Sequence, residues 1–447
     1  MTITETVGGQ RSSLSGDGLS RWSFESRRLV ARRYFVDLVL IAVGATTVAQ
    51  VMGYTLTLLT PICLLLAPAL LLTRPTRGQL IPLAVAILGF AAFVVSAFVN
   101  DLAVGQLSSL VTTDQRVIQP LAFAIYYVGL LVLSGRDLER IFSLLAGIAI
   151  GSIGYITNAG YPGAVLNTFE TLWKYAWAPW ATVLVLYVLT QIGVRLPLQA
   201  AALFLLGGFS FSTNYRSHAI VCVATGAVLL IGAVADGRMA RWFQLTIVGG
   251  FAAFMYVLVP KIAMSGIAGD AVREKTELQQ DAGVPMILAG RTESPLSIAA
   301  ILERPWFGWG TADNIDPSVF EHAKSLAISF GFDPSVPFEA NWYLPNGSVS
   351  LHSILLSAWA EGGVLAALLP ITLLVFAIGV IWNAPRYGRW AAIAVVVAVQ
   401  ATWDLLFSPT SYNMIPVLAV LALVFVARHL PAERTDEELH TVPGVNR

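Results

Sequence analysis

Long apolar runs separated by short polar breaks follow the first thirty or so residues of the chain. About twelve of these runs have roughly 15 to 22 residues, close to the ~20 that a helix needs to cross the hydrocarbon core of a membrane. We expect helices because a backbone in lipid must satisfy its own hydrogen bonds. The pattern predicts spans at 36–54, 55–73, 80–99, 117–134, 140–157, 176–193, 198–213, 218–235, 242–260, 362–382, 390–407 and 414–428.

The apolar pattern stops for one long stretch, 261–350, which is rich in charged residues, prolines and aromatic residues. Loops of more than about 15 residues are usually functional or disordered, and the aromatic residues here favour a folded cap. We expect helices within it near 294–303 and 317–330. The predicted organisation is a tail at 1–35, spans one to nine within 36–260, the loop or cap at 261–350, a re-entrant start and spans ten to twelve within 351–428, and a tail at 429–447.

The composition supports a membrane protein and excludes a soluble globule. The 447 residues are 56% hydrophobic and 12% charged, whereas a soluble domain is about 25% charged. Lysine plus arginine and aspartate plus glutamate both number 27, which gives no reason to expect nucleic-acid binding. Cys63 and Cys222 lie in apolar runs, where they are typical small hydrophobic residues. The predicted fold class is an all-α integral membrane protein with about twelve transmembrane helices and one large, partly helical extracytoplasmic loop.

The distribution of arginine predicts the orientation. The polar tail before the first span is rich in arginine and has no small-residue cleavage site, so we expect a cytoplasmic tail rather than a signal peptide. With both termini inside, most of the basic residues fall in cytoplasmic segments, as the positive-inside rule requires. The loop at 261–350 is then extracytoplasmic.

Arg216 is the first candidate for chemistry, in a polar break on the predicted outer side. It can be an interfacial anchor whose charge reaches water past apolar surface. Alternatively it is a fixed cation for a lipid-linked phosphate, because a guanidinium binds phosphate oxygens with two parallel hydrogen bonds.

Arg291 and the turn after Arg304 are the second candidate. The segment Arg304-Pro-Trp-Phe-Gly-Trp-Gly310 combines turn residues with three large aromatic side chains. Those aromatics can form the core of the cap, or they can shape a sugar or polyprenol site with Arg291 as a second phosphate-binding cation.

His352 is the third candidate, at the end of the long loop. If Ser348 or Ser350 is the N-cap, His352 falls in the first turn of a helix, where the dipole favours a neutral imidazole that can act as a base. A polar cap residue is the alternative. Glu361 lies on the opposite helix face, so a dyad with His352 requires a helix break at the glycines that follow it. Asp404 is a carboxylate inside a span and thus a site candidate, or the partner of an arginine.

Taken together and in this order, Arg216, Arg291 ahead of Pro305-Trp-Phe-Gly-Trp-Gly310, and His352 ahead of Glu361-Gly362-Gly363 resemble the O-antigen ligase and Wzy-type O-antigen polymerase family of bacterial membrane glycosyltransferases. The resemblance is good from about 200 to 410 and only topological before that. It implies a GT-C-like enzyme of the cytoplasmic membrane that transfers glycan from a polyprenyl (undecaprenyl) diphosphate carrier to the hydroxyl of a glycan or lipid acceptor on the extracytoplasmic face, without metal or other cofactor.

In that reaction we expect Arg216 and Arg291 to stabilise the leaving diphosphate and His352 to act as the general base. No zinc, nucleotide-binding or serine-nucleophile motif appears in the sequence. The residues predicted to contact substrate are Tyr215, Arg304, Trp306, Trp309, Asn341, Glu361 and Asp404. A multi-span transporter or flippase of lipid-linked glycan is the alternative. It ranks second because transporter sites lie near the membrane midplane, whereas these charges lie at predicted outer ends.

Overall fold

The structure is a computed structural model that describes residues 32–52, 56–72, 75–104, 115–159, 168–235, 291–343, 347–409 and 414–429, with scattered residues between 246 and 284. This part of the chain is almost entirely helical. Its helices, in chain order, are α1 at 32–45, α2 Leu59–Leu66, α3 Arg77–Val104, α4 Gln115–Ser134, α5 Leu138–Ala159, α6 Phe169–Leu172, α7 Ala178–Gln191, α8 Leu196–Ser212, α9 Arg216–Ala235, α10 Glu293–Glu303, α11 Pro317–Ser329, α12 Phe338–Trp342, α13 Ile354–Trp382, α14 Ala391–Phe407 and α15 Met414–His429.

Six helices of the described part are long and apolar enough to cross a membrane. They are Arg77–Asn100, Val117–Ser134, Leu138–Ala159, Arg216–Ala233, Ile354–Trp382 and Ala384–Phe407. Shorter apolar helices accompany them at Leu59–Leu72, Ala178–Gln191, Leu196–Ser212 and Met414–Arg428. The chain is therefore a multi-pass α-helical membrane protein. The count of twelve stays a prediction, since the span at 242–260 lies almost wholly outside the described residues.

The first predicted span, 36–54, is only partly helical, and this prediction was wrong at its end. Helix α1 stops at 45, and a 3₁₀ turn at Thr46–Val48 leads into a small antiparallel pair of strands, β1 Gln50–Met52 and β2 Leu56–Thr57. The hydroxyls of Thr46 and Thr47 donate to the carbonyls of Val43 and Gly44. Such local hydrogen bonds compete with helix continuation, which is why an apolar run of this length does not stay helical.

Glycine allows α1 and α5 to touch through their backbones. A Cβ at Gly147 would overlap the carbonyl oxygen of Ile41, and one at Gly44 would overlap that of Leu144. Gly151 is one turn further along α5 and faces Thr47, whose hydroxyl also reaches the carbonyl of Ile148. Small residues four apart are a usual way for membrane helices to approach closely, because packing rather than hydrophobicity drives association in lipid.

The cap has a hydrophobic core separate from that of the membrane helices. It is built by α10, α11 and α12, around buried aromatic residues that include Trp309, Phe320 and Trp342. The helices expected near 294–303 and 317–330 are confirmed as α10 and α11.

Helix α13 connects this cap to the membrane helices. It packs against α10 on one side and against α3 and α14 along its length, while α14 packs in turn on α9. The hydroxyl of Ser353 donates to the carbonyl of Leu405, so the start of α13 and the end of α14 lie together. The cap is therefore held directly against this end of the bundle.

Candidate active site

His352 lies in the extended segment that precedes α13. The N-cap of this helix is Ser353, whose Oγ accepts a hydrogen bond from the amide of Leu356 at 3.2 Å. The prediction that Ser348 or Ser350 caps the helix, with His352 in its first turn, was therefore wrong. Ser353 is the hydroxyl nearest the first turn and takes the capping role. The imidazole stands outside the helix, and its side-chain partners set its environment.

Those partners are Glu293 and Ser350. His352 Nδ1 lies 3.0 Å from Glu293 Oε1 and 3.2 Å from Ser350 Oγ. The imidazole side chain is 28% exposed and the Glu293 side chain 12%. Nδ1 of the imidazole thus has two polar partners, while the ring as a whole stays partly exposed.

Sequence reasoning missed Glu293, although it stands two residues after Arg291. It lies in the first turn of α10. An acidic residue there is expected simply from its interaction with the helix dipole. Only the fold brings it against His352, which is far away in sequence.

Arg291 shares this segment with Glu293. Burial lowers the pKa of the Arg291 guanidinium, and the negative charge of Glu293 opposes that shift. An arginine remains charged under such conditions. The segment is fixed by Trp342, a fully buried cap residue whose Nε1 donates to the carbonyl of Thr292 at 2.8 Å. The result is a half-buried cation held next to the carboxylate that contacts His352.

Arg216 is the first residue of α9, and it contacts the long loop at 261–350. Its Nη2 donates to the carbonyl of Val272 at 2.7 Å. The preceding turn is tight, since Asn214 has a φ of 57°. Tyr215 stacks on His218 with ring centroids 5.4 Å apart, and the His218 ring is hydrogen-bonded on both sides, to Ser210 and Thr182. The buried His218 side chain and its hydroxyl partners hold the turn that precedes Arg216.

The turn at 305–310 docks into a break in α13. The break is at Gly363, with φ 75° and ψ −176°. The amides of Trp309 and Gly310 donate to the carbonyls of Ala360 and Glu361, both at 2.9 Å. In the other direction the amide of Val364 donates to the carbonyl of Pro305 at 3.1 Å. The free backbone groups of the broken helix are thus paired with the turn.

The aromatic residues of this turn are divided between surface and interior. Trp306 is 70% exposed. Trp309 is buried, and its Nε1 donates to the carbonyl of Ala300 at 2.9 Å. Arg304 stacks over the Trp309 ring at 3.9 Å and donates to Asn100 Oδ1 at 2.7 Å, which joins the cap to α3.

The three remaining candidates lie in different environments, and they are Glu361, Asp404 and Asn341. Glu361 is buried inside the docked turn, and its Oε1 accepts from the amide of Ala312 at 3.0 Å. The Asp404 carboxylate accepts hydrogen bonds from the side chains of Gln400 and Ser408, which stand four residues before and after it. Asn341 is exposed on α12. The structure brings Glu293, two residues after Arg291, against His352, and it docks the turn that carries Trp309 against Ala360 and Glu361 of α13.

Among the residues that the structure describes, no group of three or more histidine, cysteine, aspartate or glutamate side chains is arranged to hold a metal ion. Two acidic residues of the cap accept hydrogen bonds from backbone amides. Asp313 accepts from the amide of Val349, and Asp316 caps α11 by accepting from the amide of Ser318.

Comparison with known protein families gives one match, over the segment that contains most of the candidate residues. A family model described as O-antigen ligase matches residues 201–371. Over this segment the chain is similar to the O-antigen ligase family. The resemblance predicted from the sequence is thereby confirmed. No curated protein and no solved structure matches the chain.

The O-antigen ligase segment contains most of the candidate residues. Arg216, Arg291, the turn at 305–310 and His352 all fall within 201–371, and Asp404 lies beyond it. The family implies a membrane glycosyltransferase that handles lipid-linked glycans.

Gly363→Ala tests whether the docked turn organises this O-antigen ligase segment. An L residue at φ 75° and ψ −176° is strained by about 1–3 kcal/mol, and a Cβ would also overlap the carbonyl of Trp306. We expect a lower melting temperature in detergent and a loss of glycan transfer. Gly232→Ala in α9 is the matched control, because its Cβ meets no atom within 4 Å. Equal melting temperature and activity in both variants would contradict the role given to the turn.

Proposed function

We propose that this protein transfers a glycan from a polyprenyl diphosphate carrier to an acceptor hydroxyl, on the extracytoplasmic face of the bacterial cytoplasmic membrane. The reaction is metal-independent and serves cell-surface polysaccharide assembly. One observation carries the proposal: in the segment that matches the O-antigen ligase family, a partly exposed imidazole contacts a carboxylate that stands two residues after a half-buried guanidinium.

The chemistry is a substitution at the anomeric carbon of the donor. The acceptor oxygen forms the new glycosidic bond, and its proton passes to Nε2 of His352. The bond between the anomeric carbon and the diphosphate oxygen breaks, and the diphosphate leaves with its electron pair on the polyprenyl carrier. A base within hydrogen-bond reach contributes typically about 10²–10⁴-fold to such a step.

The two arginines supply positive charge for the leaving group. Charge develops on the diphosphate oxygens as the bond breaks, and cations already held in place stabilise it without reorganisation. Arg291 is fixed by the Thr292–Trp342 hydrogen bond, and Arg216 is fixed at the start of α9. We assign Arg291 and Arg216 to the diphosphate.

The remaining predicted contacts take two roles in this proposal. Trp306, Tyr215 and Asn341 are the proposed contacts to the glycan or to the first part of the prenyl chain, and aromatic faces suit both ligands. The other four residues make the internal contacts described above. We propose that they maintain the shape of the substrate site and do not bind the substrate directly; they are Arg304, Trp309, Glu361 and Asp404.

Deletion of the gene tests the function in cells. We expect the surface polysaccharide to change, with single repeats retained if the protein is a polymerase, or full-length chains left on the carrier if it is a ligase. Wild type and His322→Ala should restore the glycan and His352→Ala should not. His322 is an exposed cap histidine and so a matched control. Restoration by His352→Ala, or an unchanged glycan profile in the deletion strain, would contradict the proposal.

A further inference from the structure

We propose that Glu293 is the positioning residue for the base: it fixes the tautomer and orientation of the His352 imidazole, and it stabilises the imidazolium that forms as the acceptor loses its proton. This inference rests on the proposed function, because it assigns a role in the same site.

The geometry requires a defined proton position. An ionised carboxylate can only accept hydrogen bonds. The 3.0 Å contact between Glu293 Oε1 and His352 Nδ1 therefore places the ring proton on Nδ1. In the neutral ring Nε2 then has the lone pair, which is the state that a general base needs. Ser350 Oγ, at 3.2 Å from Nδ1, is a second acceptor on the same side of the ring.

The position of Glu293 is fixed by the cap. It begins α10, whose preceding residue, Thr292, is held by Trp342. The imidazole is fixed from the other side, since the adjacent Ser353 caps α13 and bonds to Leu405. The two side chains thus belong to two separately anchored elements, and their contact sets the distance between the cap and the start of α13.

The second oxygen of the carboxylate also bears on its role. Glu293 Oε2 is buried and has no hydrogen-bond partner among the described residues. A buried carboxylate oxygen without a partner costs free energy unless positive charge offsets it. Arg291 supplies part of that charge in the resting site. A positive imidazole supplies the rest when the proton arrives, so Glu293 favours the charged state that occurs during the reaction.

A different role is possible for the same residue, namely to neutralise Arg291 and hold it in place. The two roles predict different effects. Loss of a partner for Arg291 changes the affinity for the anionic donor. Loss of a partner for His352 lowers kcat and leaves the donor affinity nearly unchanged.

Kinetics of Glu293→Gln separate these roles. Glutamine keeps the shape but removes the charge, and its amide can donate to Nδ1 and so favour the unproductive tautomer. We expect kcat to fall about 10- to 100-fold, less than the ~10²–10⁴-fold that the general base itself contributes, with KM for the polyprenyl diphosphate donor within about twofold and a changed pH profile of kcat. Glu293→Asp should restore part of the rate. The matched control is Glu303→Gln, which alters the exposed pair between Glu303 and His322 in the same cap.

Nitrogen NMR of the protein labelled with ¹⁵N-histidine reads the tautomer without any substrate. The chain has five histidines, so the His352 signals are identified by their loss in His352→Asn. We expect wild type to carry the proton on Nδ1 and Glu293→Gln to lose that preference. Because no turnover is involved, this measurement tests the pair even if the proposed reaction is wrong.

The outcomes are distinct. An Nδ1 proton lost in Glu293→Gln, together with a fall in kcat, supports the proposal. An unchanged tautomer, or a variant whose main defect is a higher KM, overturns it and leaves Glu293 as the partner of Arg291. Wild type that shows the predicted tautomer but transfers no glycan would instead refute the proposed function alone.

Discussion

Replacing His352 with alanine is expected to lower the rate of glycan transfer about 10²–10⁴-fold and to leave carrier binding nearly intact. The imidazole contacts Glu293 and Ser350 through Nδ1, which leaves Nε2 as the atom for the acceptor proton. It carries none of the fixed positive charge that binds a diphosphate. The defect should therefore appear in turnover and not in affinity.

The measurement combines binding of a polyprenyl diphosphate analogue with the transfer rate, both in nanodiscs. His322→Ala is the control, because His322 is exposed on the cap and its loss should change neither quantity. Full transfer activity in His352→Ala would remove the base from the mechanism. A large loss of carrier binding in this variant would mean that His352 binds the donor instead.

Replacing Arg291 or Arg216 with alanine is expected to impair both binding and turnover. Each charge-assisted hydrogen bond to phosphate contributes about 1.5–3 kcal/mol before charge develops in the transition state, which is roughly a 10- to 150-fold change in affinity. Lysine should rescue each variant only in part, because a point charge cannot reproduce the two parallel hydrogen bonds of a guanidinium.

The same binding and transfer assays check this prediction, with Arg273→Ala as the control. Arg273 lies in the same long segment and forms an exposed ion pair with Glu277. Such pairs are worth about 0–1 kcal/mol, so its loss should have little effect. If both Arg216→Ala and Arg291→Ala keep wild-type affinity and rate, the two residues are interfacial anchors and not diphosphate ligands.

The helices of the membrane part follow from the apolar pattern, because a run of about 20 apolar residues has few other stable forms in lipid. The end of α1 does not, since the threonines that stop it are themselves compatible with an apolar span. Likewise, the pair Gly362–Gly363 suggested a possible break, but the turn at 305–310 that fills the break depends on contacts between distant segments.

In the candidate site, too, some residues can be predicted from the sequence and others are recognised only from the structure. Arg216 is visible in the sequence because it interrupts two apolar runs on the predicted outer side, Arg291 because it precedes the Pro305–Gly310 turn, and His352 because it stands just before the next apolar run. The residues that hold them in place cannot be recognised from the sequence. Glu293 has an ordinary reason to stand in the first turn of a helix, and Trp342 has an ordinary reason to lie in a core. Only the tertiary contacts Glu293–His352 and Trp342–Thr292 give these residues a role in the site.

Glycan transfer is tested by following both products of one reaction. Purified protein in nanodiscs is given an acceptor and a polyprenyl diphosphate donor labelled separately in its glycan and in its diphosphate, in excess chelator. We expect one polyprenyl diphosphate to be released for each glycan that joins the acceptor. Donor recovered with its glycan still attached, or transfer that appears only after magnesium or manganese is restored, would contradict it.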